Sequence, residues 1–114
     1  MQQVVNNIDL RTDPRFSIMN IAALLNIKIL GQSGAETIAR CPFCGDSKDP
    51  RNGHLYLNTA TNQYYCVRCG TGGYAISLYS KMLGISNYEA ICDIATGSVT
   101  RINHYPAPLF YEEN

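Results

Sequence analysis

Apolar side chains recur at Ile18, Ile21, Ala22 and Leu25, the i, i+3, i+4, i+7 spacing of one helical face, and Ser17 precedes them as an N-cap. This spacing predicts a helix ending near Asn26, with its apolar face turned inward. The period then shortens to that of strands. Residues 27–30 and 35–40 read as two short strands joined by Gly31-Gln32-Ser33-Gly34, a turn rich in residues that accept unusual backbone angles. Residues 53–58 and 63–66 read as the arms of a hairpin around a polar turn at 59–62. About four strands are expected. After Gly70-Thr71-Gly72-Gly73 the helical period returns at Ala75, Leu78, Tyr79 and Met82, and Gly84 stops it. Ser86-Asn87-Tyr88-Glu89 has the form of a capping box and opens a second short helix to Ala95, with Gly97 beyond its end. From 98 onward the periodicity is gone, and Pro106, Pro108, Glu112 and Glu113 mark a tail or the start of a linker.

The predicted class is therefore α+β: a small antiparallel sheet flanked by an N-terminal helix and a C-terminal αα-hairpin. Residues 1–16 form an N-terminal extension, 17–97 the domain and 98–114 the tail.

The chemistry of the chain lies in its cysteines. Cys41-Pro42-Phe43-Cys44 and Cys66-Val67-Arg68-Cys69 are dithiol steps whose two-residue spacing lets both sulfurs of a pair reach one ion. The 21 residues between the pairs contain the predicted hairpin, which returns both pairs to one end of the sheet. Four thiolates then close a tetrahedron around one structural Zn²⁺, and the sheet becomes a zinc ribbon. Gly45 and Gly70 follow the second cysteine of each pair, where a tight knuckle calls for positive φ.

The competing reading, two disulfides, requires an oxidising compartment and usually an even cysteine count; this chain has five. Cys92, beside Ile91, Ile94 and Ala95, reads as a small buried side chain and not a fifth ligand. No signal-peptide core precedes the domain, and no run nears the roughly 18 apolar residues of a membrane span. The expected location is cytoplasmic, away from membranes.

With 114 residues, one small domain and a modest core are expected, and a structural zinc offsets that modesty. Net charge is zero but unevenly placed. From 40 to 81 there are five cations (Arg40, Lys48, Arg51, Arg68, Lys81) and two anions (Asp46, Asp49), hence +3 on the ribbon and −3 on the remainder. Gly70-Thr71-Gly72-Gly73 lacks the Gly-Lys-Ser/Thr ending of a phosphate loop and is better explained by the knuckle and the start of a helix.

Cys41-Pro42-Phe43-Cys44, then Tyr64-Tyr65-Cys66-x-x-Cys69-Gly70-x-x-Gly73-x-Ala75-Ile76, then Leu83-Gly84-Ile85-Ser86 and Glu89-Ala90, resemble the N-terminal zinc-binding domain of bacterial DnaG-type primases. Two features depart from that family: Cys44 stands where its second ligand is usually His, and the loop 45–53 is a few residues longer. Four-cysteine versions resemble those of phage primase-helicases and mobile elements.

The resemblance implies a DNA-replication role. The ribbon would bind single-stranded DNA template and present it to a primase catalytic domain, with a helicase as a further partner. Polymerisation would lie in a separate domain, because Asp46, Asp49, Glu89 and Asp93 are too scattered here for a two-metal site. Stacking bases need exposed aromatic rings, and phosphates need cations. Strand alternation puts His54 and Tyr56 on the face opposite Leu55 and Leu57. It also places Tyr64 and Tyr65 on opposite faces without saying which is outward; Tyr65 is the candidate. Lys48, Arg51 and Arg68 are the candidate phosphate contacts. The alternative function is a zinc-stabilised protein-interaction module that docks a replication or mobile-element partner through Tyr74, Tyr79 and Tyr88.

Overall fold

A computed structural model describes residues 8–97. The predicted tail, with His104, lies outside them. Helix α1 spans Ile18–Leu24, and its N-cap Ser17 accepts from the Asn20 N–H at 3.1 Å. It stops about two residues short of the predicted end because Asn26 adopts φ 56°. The Ile27 N–H then reaches the Ala22 carbonyl and the Asn26 N–H the Ala23 carbonyl, the paired bonds of a Schellman ending. Ahead of α1, a 3-10 turn at Pro14–Phe16 buries Phe16 in the core, and Arg15 Nη1 donates to the Ala95 carbonyl at 3.1 Å. Packed structure therefore begins before position 17.

Five strands form the sheet: β1 Ile29–Ser33, β2 Glu36–Ala39, β3 Leu55–Asn58, β4 Gln63–Cys66 and β5 Gly72–Tyr74. They lie in chain order with every neighbouring pair antiparallel. The first hairpin turns at Gly34 and Ala35, so Gly31-Gln32-Ser33 continues the strand predicted to end before it. The fifth strand was not expected. Its Gly72 and Gly73 give no strand signal, yet they pair with Tyr65 and Tyr64 because nothing larger fits. A Cβ on Gly72 would lie 2.8 Å from the Tyr64 carbonyl oxygen, and one on Gly73 would lie 2.5 Å from Ser77 Oγ.

Helices α2 (Ala75–Leu83) and α3 (Asn87–Thr96) form the predicted αα-hairpin. Gly84 (φ 69°) ends the first, and the reciprocal Ser86–Glu89 capping box opens the second. Helices α1 and α2 lie on one face of the sheet, and α3 packs on α2 and on the Pro14–Phe16 turn. Thr37, Ala39, Leu55, Leu57, Tyr64 and Cys66 point into that interface, against Ile18, Ile21, Leu78, Tyr79, Ala90 and Ile94. Cys92 is buried as a small side chain in α3. Among the described residues no helix lies over the opposite face of the sheet, and Tyr56 and Tyr65 point to that side.

Candidate metal centre and open sheet face

The four predicted ligands converge. Their sulfurs all lie within 4.8 Å of one another, with Cys41 Sγ–Cys69 Sγ at 3.8 Å and Cys44 Sγ–Cys66 Sγ at 3.9 Å. A tetrahedron with Zn–S bonds of about 2.3 Å has edges of about 3.8 Å, whereas a disulfide would bring two sulfurs to about 2.05 Å. The donor set therefore fits zinc and not oxidised pairs. Both knuckles turn on the expected glycines, Gly45 at φ 75° and Gly70 at φ 81°. In the second, the Gly70 N–H donates to the Cys66 carbonyl and the Cys69 N–H points at Cys66 Sγ. In the first, Phe43 stacks on Tyr64 at 6.2 Å, linking the knuckle to β4.

One residue that sequence reasoning passed over organises the first knuckle. Asp46, also left-handed at φ 62°, buries its carboxylate completely. Its Oδ2 accepts from the N–H groups of Cys41 and His54, both at 2.8 Å, and Oδ1 from the Ser47 N–H at 2.7 Å. His54 Nδ1 donates to Oδ1 at 2.6 Å, since an ionised carboxylate can only accept. Burial alone would raise this carboxyl. The bonds from the His54 ring and from the Cys41, Ser47 and His54 backbone outweigh it and hold the pKa at about 2, below the ordinary 3.8. A depressed carboxyl stabilises the fold above its unfolded value and loses that contribution as pH falls through about 2, so the brace is intact at neutral pH. No motif advertises this role. It needs the unusual backbone angle and the return of 54 beside 41.

Arg40 holds the same loop from the other side. Its Nη1 donates to the carbonyls of Asp49 (2.7 Å) and Asn52 (2.8 Å), and its Nη2 to that of Gly45 (3.2 Å). Gly53 closes the loop against β2, where a Cβ would lie 2.4 Å from the Ala39 carbonyl oxygen.

Before a metal binds, burial pushes the Cys41 and Cys66 thiols up. Burial pushes Cys69 the same way, but the Thr71 hydroxyl and N–H, with the Cys66 and Cys41 thiols, bring it to about 7. A dication favours the thiolate form at all four sulfurs at once and offsets half of their charge. The same sulfurs act on Arg68, which is exposed beside them. A hydrogen bond to Cys44 raises the Arg68 guanidinium above its ordinary value, against a desolvation cost, and the nearby Cys44, Asp46 and Cys66 charges add to the effect. Four thiolates around Zn²⁺ carry −2, so the ribbon's +3 falls to +1 once the metal is counted.

The CHC2 zinc finger model, the zinc ribbon of DnaG, matches residues 4–106. The chain belongs to the CHC2 zinc finger family. No curated protein matches it. This CHC2 zinc finger is thus a zinc domain of the kind associated with DnaG-type primases, with one structural Zn²⁺ held by cysteine alone. Among the described residues no helix is long and apolar enough to cross a membrane.

On the open face of the CHC2 zinc finger, strand register lines up two rows. One runs Gly31, Ile38, Tyr56, Tyr65, Gly72; the other runs Ser33, Glu36, Asn58, Gln63, Tyr74. Tyr65 is 51% exposed and Tyr64 is buried. The Tyr65 ring leans over β5, with Cδ1 2.8 Å from where a Gly72 Cβ would be and Oη 4.0 Å from that of Gly70. The ring lies down on a glycine strand. A hollow of about 520 Å³ opens between Glu36, Tyr56, Asn58, Gln63 and Tyr65, and a second of about 350 Å³ between Ile38, Arg51, His54 and Tyr56.

The remaining predicted contacts divide. Lys48 is exposed in the loop. The Arg51 side chain is 87% exposed and chelates Asp49 through Nε at 3.0 Å and Nη2 at 2.9 Å. His54 is half-buried and already committed through Nδ1 to Asp46, which leaves Nε2 for any ligand in the second hollow. The tyrosines of the alternative docking face do not form one surface. Tyr79 is fully buried in the core, and only Tyr74 and Tyr88 are exposed.

Proposed function

We propose that this chain is the template-binding zinc domain of a DNA primase, holding single-stranded DNA on its open sheet face to assist primer initiation by a separate catalytic domain. The observation that carries this reading is the paired row of Tyr56 and Tyr65, with Tyr65 laid flat over Gly72, beside a hollow lined by Arg51 and His54. Flat exposed rings stack on unpaired bases of any sequence at about 1–3 kcal/mol per base, and adjacent cations meet the phosphates. The two knuckles hold one end of β3 and β4, so the zinc site sets the rigidity of the platform without touching the strand. The reduced thiols this requires suit a cytoplasmic setting.

The acidic side chains support a non-catalytic part. Asp46 braces the knuckle, Asp49 is paired with Arg51, and Glu89 caps α3. Among the described residues the only group of three or more potential metal ligands is the cysteine cluster. The isolated chain should make no primer from nucleoside triphosphates and Mg²⁺.

The deciding experiment is a fluorescence anisotropy titration of a short labelled single strand at two salt concentrations. With a ribbon charge near +1, few phosphates are neutralised, and at about −0.7 per contact the salt slope should be near −1. Tyr65→Ala and Tyr56→Ala should each weaken binding about ten-fold or more at both salts, whereas Arg51→Ala should weaken it modestly and flatten the slope. Binding that ignores both tyrosines would remove the stacking role.

A further inference from the structure

The polar row on the open face has a donor and acceptor order of its own. Glu36 on β2 and Asn58 on β3 are directly paired across the strands, so their side chains leave the same face about 5 Å apart. Asn58 Oδ1 accepts from the N–H groups of Ala60 (2.9 Å) and Thr61 (3.0 Å). With its oxygen held by the turn, the amide keeps Nδ2 as its outward group, a donor. Glu36 lines the same hollow, and an ionised carboxylate offers two acceptors and no donor. Read along the row, the edge is acceptor, acceptor, donor.

A carboxylate at the centre of a face that takes a polyanion repels phosphate, which keeps the backbone toward Arg51 and His54 and turns the bases toward Glu36. The bases are distinguished there. Guanine carries donor, donor, acceptor along N2, N1 and O6, the complement of this row and the pattern that cytosine meets in a base pair. Cytosine and adenine each set one amino group beside a ring nitrogen that repels the second carboxylate oxygen. Thymine flanks its single N–H with two carbonyl groups.

We propose that Glu36 and Asn58 form a base-reading edge that selects guanine in the single strand, with the selected base stacked on Tyr56 or Tyr65. This inference rests on the open face being the single-strand site. The carboxylate takes the N1–H and N2–H of guanine, and Asn58 Nδ2 donates to O6. A well-made bidentate pair discriminates against the wrong base by about ten-fold or more.

The test uses the zinc-loaded full chain and labelled oligo-dT carrying one central guanine, inosine, adenine, cytosine or thymine, read by fluorescence anisotropy. Guanine should bind about ten-fold tighter than thymine, with adenine and cytosine between them. Inosine, which lacks only the N2 amine, should lose several-fold against guanine, and this arm requires no change to the protein. E36Q should remove most of the guanine preference, bringing guanine to within about two-fold of thymine when both are measured on that variant. A guanine preference that survives both inosine and E36Q overturns the proposal. So does equal affinity for every base, or an E36Q gain shared equally by all of them; in those cases strand binding on the open face still stands. No binding to any oligonucleotide at low salt removes the face itself as a site, and this proposal with it.

Discussion

The two zinc knuckles share a spacing and a glycine turn, but they are held by different means. The first is braced from inside: Asp46 ties the Cys41 N–H to the start of β3, Arg40 gathers three loop carbonyls, and Phe43 packs on Tyr64. The second is held by its own backbone, by the β5 pairing through the Cys66 N–H and Thr71 carbonyl, and by Thr71 at Cys69. Its Val67, Arg68 and Cys69 are exposed. Equivalent ligand motifs thus need not be equivalent in energy. The knuckle that closes a long loop carries a buried network, whereas the one that continues a hairpin into the next strand does not.

The largest break in this comparison is removal of a buried ligand. Cys66→Ser should abolish zinc binding and unfold the ribbon, because structural zinc is worth about 10–16 kcal/mol in model peptides. Zinc content together with circular dichroism checks it, and a folded, metal-loaded serine variant would exclude Cys66 as a ligand. Cys44→His should retain zinc, since imidazole nitrogen also fits a tetrahedral site. Next comes Asp46→Asn, which puts a donor in place of one of two oxygens that between them accept from three backbone N–H groups and the His54 ring. Zinc affinity should fall about 10- to 100-fold in a competition assay with a chromogenic chelator. The matching change in the second knuckle, Thr71→Val, removes one hydroxyl near Cys69 and should cost about five-fold or less. Equal losses from these two variants would erase the contrast between the knuckles. The smallest effect is expected from Arg68→Ala. An exposed charge is screened by solvent, so chelator-driven zinc release should quicken about two- to three-fold.

Local features were the legible ones. The ligands, their glycines, the Ser17 cap and the Ser86–Glu89 box each depend on residues a few positions apart, and the structure contains them all. The orientation of the tyrosine pair was within reach as well. A four-residue turn at 59–62 pairs Asn58 with Gln63, which sets Tyr64 beside Leu57 on the buried face. Strand β5 escaped because its glycines serve close approach, a property of neighbours and not of the segment. Asp46 escaped for a similar reason, since its partners come from 41 and 54 and its value lies in two distant N–H groups meeting one carboxylate. The charge sum misled in a third way, because it counts thiols as neutral where zinc makes them anionic.

Asn62, at the tip of the β3–β4 hairpin, is left-handed at φ 60°. Its side chain accepts from the Ile18 N–H at 2.7 Å and donates to the Phe16 carbonyl at 3.1 Å, while its own carbonyl accepts from the Ala75 N–H at 3.0 Å. One residue thereby fastens the hairpin to the first turns of α1 and α2, at the end away from the metal. The hairpin is a beam with two supports, and chelation takes away only one. Amide exchange should accordingly spread as a front from the knuckles toward 62, with the Ile18 and Ala75 amides among the last to lose protection.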